Sequence, residues 1–300
     1  MNRSGLLATV SLAALAIAGA LPEALAYVRS GPTVMPSGHH RLKSPSDAVF
    51  DTFTAPSAAF DFRKVKSSYS GPGIRIRRAS DNQEIDINYL GFVPGIGAPI
   101  DVATANTHCT STTCYGRWWY DQSGAAWHIG QATAANQPEL IFNCRGTLPC
   151  WRFTANTQNL TSASNFTPAT GIVTVNAVAI RTTGTGTCQF VSGASPGNRM
   201  VTAATANWSV GTTQAAAANG VWHAAVGIFN GAAPNSSLTI DANAAVTGGA
   251  TGTTTPGPVA LIGGATTTCL MGAATFWDNY MTSAGETTVL IANQRGFWGF

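Results

Sequence analysis

Residues 74–87 read IRIRRASDNQEIDI, and this stretch sets the fold class. Ile74 and Ile76 alternate with Arg75 and Arg77, and Ile85 and Ile87 alternate with Glu84 and Asp86. A period of two puts apolar side chains on one face of an extended strand and charged ones on the other; a helix would scatter them. Working outward, the same short-strand reading applies to Arg117–Tyr120, Leu140–Phe142, Ile172–Ile180, Ala206–Val210, Val221–Phe229, Leu238–Ile240, Val259–Ile262 and Thr275–Trp277. Within Val221–Phe229, Trp222, Ala224, Val226 and Ile228 share one face. Gly248-Gly249, Pro234-Asn235 and Thr253–Pro258 are turn signals between such runs. One helix is expected, at Ala284–Arg295, with Val289, Leu290 and Ile291 as its apolar residues. About ten strands without alternating helices predict a single all-β sandwich with one short C-terminal helix.

Composition narrows the function. Only 10% of the 300 residues are charged, against about 25% in an ordinary soluble domain. Apolar content is 45% and the net charge is +3, so a charge-driven disordered chain is excluded. A nucleic-acid partner is not expected, because phosphate neutralisation needs many Lys and Arg on one face. The chain has three Lys, too few for long exposed helices.

The first 26 residues read as a secretory signal peptide. Arg3 supplies the positive start, Leu6–Leu21 the apolar run, and Ala24-Leu25-Ala26 the A-x-A cleavage site. The run is shorter than the ~20 residues of a spanning helix, and no membrane span is expected. Residues 27–47, with Pro32, Pro36, Pro45 and His39-His40, read as a flexible linker, and residues 48–300 as one domain. The expected location is extracellular, or periplasmic in a bacterium. Six cysteines in a secreted chain suggest three disulfides. Proximity favours Cys109–Cys114 and Cys144–Cys150, leaving Cys188–Cys269. There is no C-x-x-C pair, and neither a metal nor a cofactor is expected.

Two stretches carry a family resemblance. Phe60–Asp86 is FDFRKVKSSYSGPGIRIRRASDNQEID, and Thr107–Gly124 is THCTSTTCYGRWWYDQSG, followed by Gln131–Pro138. With Tyr69–Gly71, Arg77–Asp81, Cys109/Cys114 and Tyr120–Gly124, they resemble the N-terminal third of the α-L-arabinofuranosidase B catalytic domain, a jelly-roll glycoside hydrolase. The last third is similar to laminin-G-like and concanavalin A-like domains. Its markers are Gly220–His223, Leu238–Asp241, Leu261–Gly264, Asn293-Gln294 and Phe297–Gly299. The resemblance therefore implies a concanavalin A-like jelly-roll β-sandwich.

It also raises the question of hydrolysis. A retaining glycosidase needs two carboxyl groups roughly 5–5.5 Å apart. The resemblance implies an acid/base shortly after an Ile-Gly-Gly turn, yet Ala265 follows Ile262-Gly263-Gly264 here. The family's adjacent sugar-contacting cysteines are also missing, because no two cysteines here are neighbours. Beyond Asp121 the carboxylates are Glu139, Asp241, Asp278 and Glu286. No catalytic residue is therefore assigned. Trp127 and Trp151, beside loops and turns, are the candidate sugar platforms; Trp222 and Trp298 belong to the core pattern. Asp121 and Gln122 are expected to hold their turn by side-chain-to-backbone hydrogen bonds, and His128 and His223 to be structural. The basic cluster Arg63, Lys64, Lys66, Arg75, Arg77 and Arg78 reads as a solvated face beside Asp81, Glu84 and Asp86, or as a site for acidic polysaccharide. The expected function is a secreted protein that binds polysaccharide or cell-envelope glycan without hydrolysing it. The alternatives are an active α-L-arabinofuranosidase with a displaced carboxylate pair, and a structural or adhesive surface protein.

Overall fold

The computed structural model describes residues 48–51, 53–91, 98–166, 172–184, 186–192, 199–203, 206–230, 236–248, 257–262, 267–278 and 284–300. The expected signal peptide, the expected linker and Ala265 lie outside these residues. The first part of the domain contains β1 (Ala58–Asp61), β2 (Ile74–Arg78), β3 (Glu84–Ile87), helix α1 (Val102–His108) and β4 (Cys114–Trp119). β5 (Ile129–Gly130), β6 (Glu139–Arg145), β7 (Leu148–Phe153) and β8 (Asn159–Phe166) follow. Next come β9 (Ile172–Gly184), β10 (Cys188–Ser192), β11 (Arg199–Ala203), β12 (Asn207–Val210) and β13 (Thr213–Ala216). The last elements are β14 (His223–Asn230), β15 (Ser237–Ile240), β16 (Val246–Thr247), β17 (Gly257–Ile262), β18 (Thr267–Trp277) and helix α2 (Ala284–Trp298).

The protein is all-β and antiparallel, of the jelly-roll sandwich type. β9 is its spine, pairing with β14 on one side and β18 on the other. Val173–Ile180 is buried throughout, which explains a nearly continuous apolar run in place of alternation. The two ends of β18 have different second neighbours. Cys269–Met271 pairs with β7, and Ala273–Phe276 pairs with β1. One arm continues through β6, β4, β2 and β3. Another leaves β4 through β5, β8, β17 and β10 to β11, β12 and β13.

The expected hydrophobic faces are where alternation puts them: Ile74, Ile76 and Ile87 are all fully buried. Phe60, Phe62, Trp119 and Trp151 form an aromatic knot, with Phe62 5.2 Å from Trp119 and 5.3 Å from Trp151. Trp151 was expected at a loop edge; it lies inside β7 with no exposed surface. All three favoured disulfides are present: Cys109–Cys114, Cys144–Cys150 and Cys188–Cys269.

The helices differ from expectation in two ways. A second helix, α1, is present in addition to the C-terminal one. Only Ala105 of α1 is buried, so it has no apolar stripe to read. Asp101 starts it by accepting from the Thr104 amide at 3.0 Å, an N-cap. α2 runs to Trp298, past Arg295 and straight through Gly296. It stops where Gly299 takes φ +73 and its amide bonds the Arg295 carbonyl at 2.8 Å. Packing explains the extra turn: Trp298 stacks on Trp222 at 5.4 Å. Its indole also lies over Gly272, where a Cβ would meet the ring at 2.4 Å. Gly272 sits at a register shift in β18.

Candidate functional site

The Tyr-Asp-Gln-Ser-Gly turn, residues 120–124, is densely hydrogen-bonded. Asp121 accepts from the amides of Ala59 (2.8 Å), Ser123 (2.8 Å) and Trp127 (3.0 Å) and from the Ser123 hydroxyl (2.6 Å). Gln122 accepts from Val65 and donates to the Arg63 carbonyl at 2.9 Å. Both are buried. Asp121 holds its own turn through Ser123 and Trp127, the role expected of it, whereas Gln122 bonds the backbone of residues 63 and 65 in place of its own turn. Nothing of either carboxylate or amide is left for substrate.

Trp127 is half-buried, packed against the core rim, with its amide fixed by Asp121. Of the two candidate platforms it alone reaches the surface, because Trp151 is interior. His128 accepts the Asp121 amide on Nδ1 at 3.0 Å and meets Tyr120 edge-on at 5.0 Å. Burial lowers its pKa against the pull of Asp121, which suits a neutral ring with its proton on Nε2. Tyr120 in turn donates to Asp86 at 2.7 Å.

The basic cluster does not form one patch. Arg63 is buried; Arg75 forks onto Asp86 (2.8 and 2.6 Å); Arg77 is held by Gln137 (2.7 Å) and Asn82 (2.8 Å); Arg78 pairs with Asp81 at 3.5 Å. Lys66 donates to the Ser123 carbonyl at 2.7 Å. Alternation along β2 and the facing acids of β3 disperse the charge. Arg75 and Arg78 lie on a partly exposed, internally paired face, while Arg63 and Arg77 are buried, contrary to the solvated face expected for the whole cluster.

Two polar clusters escaped the sequence reading. In the first, Asp61 and Arg63 are buried together at 3.5 Å. Arg63 also donates to Asn293 and Gln294 of α2 and lies 4.4 Å from the centre of the Phe297 ring. Burial pushes Asp61 up to about 6, against Arg63 and its hydrogen bonds, which pull it down.

The second cluster joins His223, at the start of β14, to Asp241, just after β15. His223 Nδ1 lies 2.7 Å from Asp241 Oδ2, and Nε2 lies 3.0 Å from the Ala218 carbonyl. Asp241 Oδ1 accepts the Ala224 amide at 3.0 Å and has Arg295 at 4.0 Å. Burial opposes a charged imidazole here. The hydrogen bonds to Asp241 and Ala218, with the Asp241 charge, outweigh it and raise the His223 pKa. The two residues are 18 positions apart, but β14 pairs with β15 through Ala225 and Ile240. One step further along that hairpin Ala224 faces Asp241, so the hairpin register was the signal that would have found the pair.

The remaining carboxylates also have partners. Glu139 pairs with Arg152, Glu84 with Arg117 at 3.4 Å, and Glu286, buried in the first turn of α2, accepts from Thr54 at 3.4 Å. Among the described residues no group of three or more His, Cys, Asp or Glu could hold a metal ion. Nor, among them, is any helix long and apolar enough to cross a membrane.

Comparison with known proteins adds to this geometry. Residues 45–147 match the family model described as the catalytic domain of α-L-arabinofuranosidase B. A probable α-L-arabinofuranosidase B of Aspergillus flavus is 37% identical over 79 residues, 26% of this chain and 15% of that protein. Its counterpart in Aspergillus fumigatus is 39% identical over 70 residues, 23% of this chain and 13% of that protein. Among solved structures, an arabinofuranosidase complexed with arabinofuranosyl-α-1,2-xylobiose superposes with TM-score 0.59 at 17% identity. A GH54 α-L-arabinofuranosidase soaked with a cyclic sulfate inhibitor gives 0.63, also at 17%. Each alignment covers 85% of this chain and 65% of the solved one. The chain thus spans about two-thirds of the solved enzymes, and its match covers a much smaller share of the curated ones. Residues 45–147 are similar in sequence to the catalytic domain of α-L-arabinofuranosidase B, and the chain has the fold of the solved arabinofuranosidases.

Proposed function

We propose that this protein acts outside the cytoplasm on arabinofuranose-containing polysaccharide, as an α-L-arabinofuranosidase. The observation that carries the reading is the family match over residues 45–147, inside a chain whose fold follows the solved arabinofuranosidases over 85% of its length. Three disulfides fit an oxidising compartment, and the signal-peptide reading of residues 1–26 agrees with it. A concanavalin A-like ancestry for the sandwich belongs to the same proposal.

A second reading is non-hydrolytic glycan binding, with Trp127 as the half-exposed ring. It is favoured by the commitment of Asp61, Glu84, Asp86, Asp121, Glu139 and Asp241 to cationic or backbone partners. A free pair of carboxylates is what retaining hydrolysis requires.

One experiment separates the two readings. The purified chain is assayed for arabinose release from arabinan and from an aryl α-L-arabinofuranoside, with polysaccharide binding measured by affinity electrophoresis in parallel. Release that is lost in one of Glu139→Gln, Asp241→Asn, Asp278→Asn or Glu286→Gln supports hydrolysis. Binding without release, weakened by Trp127→Ala, supports the second reading. The absence of both rejects the glycan assignment.

A further inference from the structure

We infer that His223, Asp241 and the Ala218 carbonyl form a pH-operated tie that fastens the β13–β14 connection to the β14–β15 hairpin when His223 is doubly protonated and frees it when that proton leaves. The inference is independent of the glycan reading.

The geometry makes the argument. Both ring nitrogens of His223 face acceptors, a carboxylate oxygen at 2.7 Å and a backbone carbonyl at 3.0 Å. An imidazolium donates from both nitrogens; a neutral imidazole donates from one and presents a lone pair with the other. The contact to the carboxylate is charge-assisted and keeps its proton. The proton released to solvent is therefore the one on Nε2. Its loss sets a nitrogen lone pair against the Ala218 oxygen, and the attraction becomes repulsion.

The groups around the ring allow this titration. From the end of β15 comes Asp241, which favours the cation. From α2 comes Arg295, which opposes it and keeps a positive charge beside Asp241 after His223 is neutral. β12 contributes the uncharged ring of Trp208, edge-on at 5.7 Å, and β9 contributes Ala179 opposite in the ladder. The side chain of His223 is 8% exposed, so water reaches it without dispersing the bonds.

The freed segment has little else to hold it. Ala218 is exposed, Gly220 takes φ +75, and Val221 is 48% exposed. Its backbone anchors are the Ala217 amide on the Ala206 carbonyl (2.9 Å) and the Gly220 amide on the Arg181 carbonyl (2.8 Å). Trp222 closes the segment and stacks on Trp298 of α2. Because the folded-state pKa of His223 is raised, the tie contributes fully below the ordinary histidine value of about 6.5 and is lost as pH climbs through the raised one.

Amide hydrogen exchange on the full chain tests this, from about pH 5.5 to about pH 9 and corrected for the intrinsic pH dependence of exchange. Protection of the Ala217 and Gly220 amides is expected to fall severalfold above about pH 6.5, with β9 unchanged. In His223→Gln the step should vanish, leaving weak protection at every pH. Flat protection in the native chain, or a step that survives His223→Gln, overturns the inference. If that variant does not fold, the native His223 ring is titrated directly by NMR. A midpoint at or below about 6.5 then overturns it.

Discussion

Residues 58–124 and residues 172–277 are both antiparallel sheet, yet different chemistry holds them. Of the 27 charges after residue 26, 18 lie in residues 27–121 and nine in the remainder. In the first region buried polar side chains take over from the ladder wherever the backbone leaves it. Gln122 bonds the Val65 amide and the Arg63 carbonyl, Asp121 takes four donors, and Arg63 reaches across to α2. In the second region β9, β14 and β18 are built largely of buried apolar side chains. Among its described residues the Cys188–Cys269 disulfide is a covalent long-range fastening beside the side-chain bonds of His223 and Asn176. A side chain that bonds named backbone groups accepts few replacements, because the orphaned groups cost about 1–3 kcal/mol each. An apolar position accepts many residues of similar volume. The first region lies within residues 45–147, which the family model matches. The likeness to the solved arabinofuranosidases, at 17% identity over 85% of the chain, is one of fold.

Breaking each region's own fastening tests that contrast. The Cys188→Ala/Cys269→Ala pair opens a loop with a sequence separation of 81 and is expected to cost about 4–5 kcal/mol in denaturant unfolding. Opening Cys109–Cys114, with a separation of 5, should cost about 2 kcal/mol on the same chain-entropy scale. Equal losses would undo the claim that the second region leans on its long cross-link. Arg63→Leu strands Asp61 among buried groups and should cost about 3–5 kcal/mol, with part recovered when Asp61→Leu is added. No recovery in the double variant would mean that Arg63 acts through its contacts with α2, the bonds to Asn293 and Gln294 and the Phe297 ring. The smallest effect is expected at Arg75→Ala. That ion pair is 36% and 35% exposed, and its loss should stay under about 1 kcal/mol and shrink further in salt.

How much of this could be read beforehand follows the same divide. Alternation located β2 and β3, and the long apolar runs located β9, β14 and the end of β18, because burial on one or both faces leaves a periodic trace. β10, β11 and β13 leave a faint one, being only four or five residues long, with β13 made of Thr, Gln and Ala. α1 leaves none, since a capping Asp and one buried Ala do the work of an apolar stripe. The bonds of Asp121 to Ser123 and Trp127 are legible because turn chemistry is local; the reach of Gln122 to residues 63 and 65 is not. The partners Asp241 of His223 and Gln294 of Arg63 were not, because strand pairing and helix docking bring them together across 18 and 231 positions. Trp151 looked like a surface ring for a related reason. The turn ahead of β7 is visible in sequence, but the wall of Phe62 and Trp119 that covers it is not.

The seat of Trp298 on Gly272 has a consequence for how this chain can vary. A single methyl group at position 272 would occupy the space of the indole, and a smaller ring at 298 would surrender the stack on Trp222. Neither position can drift alone. Strand and helix are thus matched in shape, so a larger residue at 272 calls for a smaller one at 298 and for a new docking of the last helix.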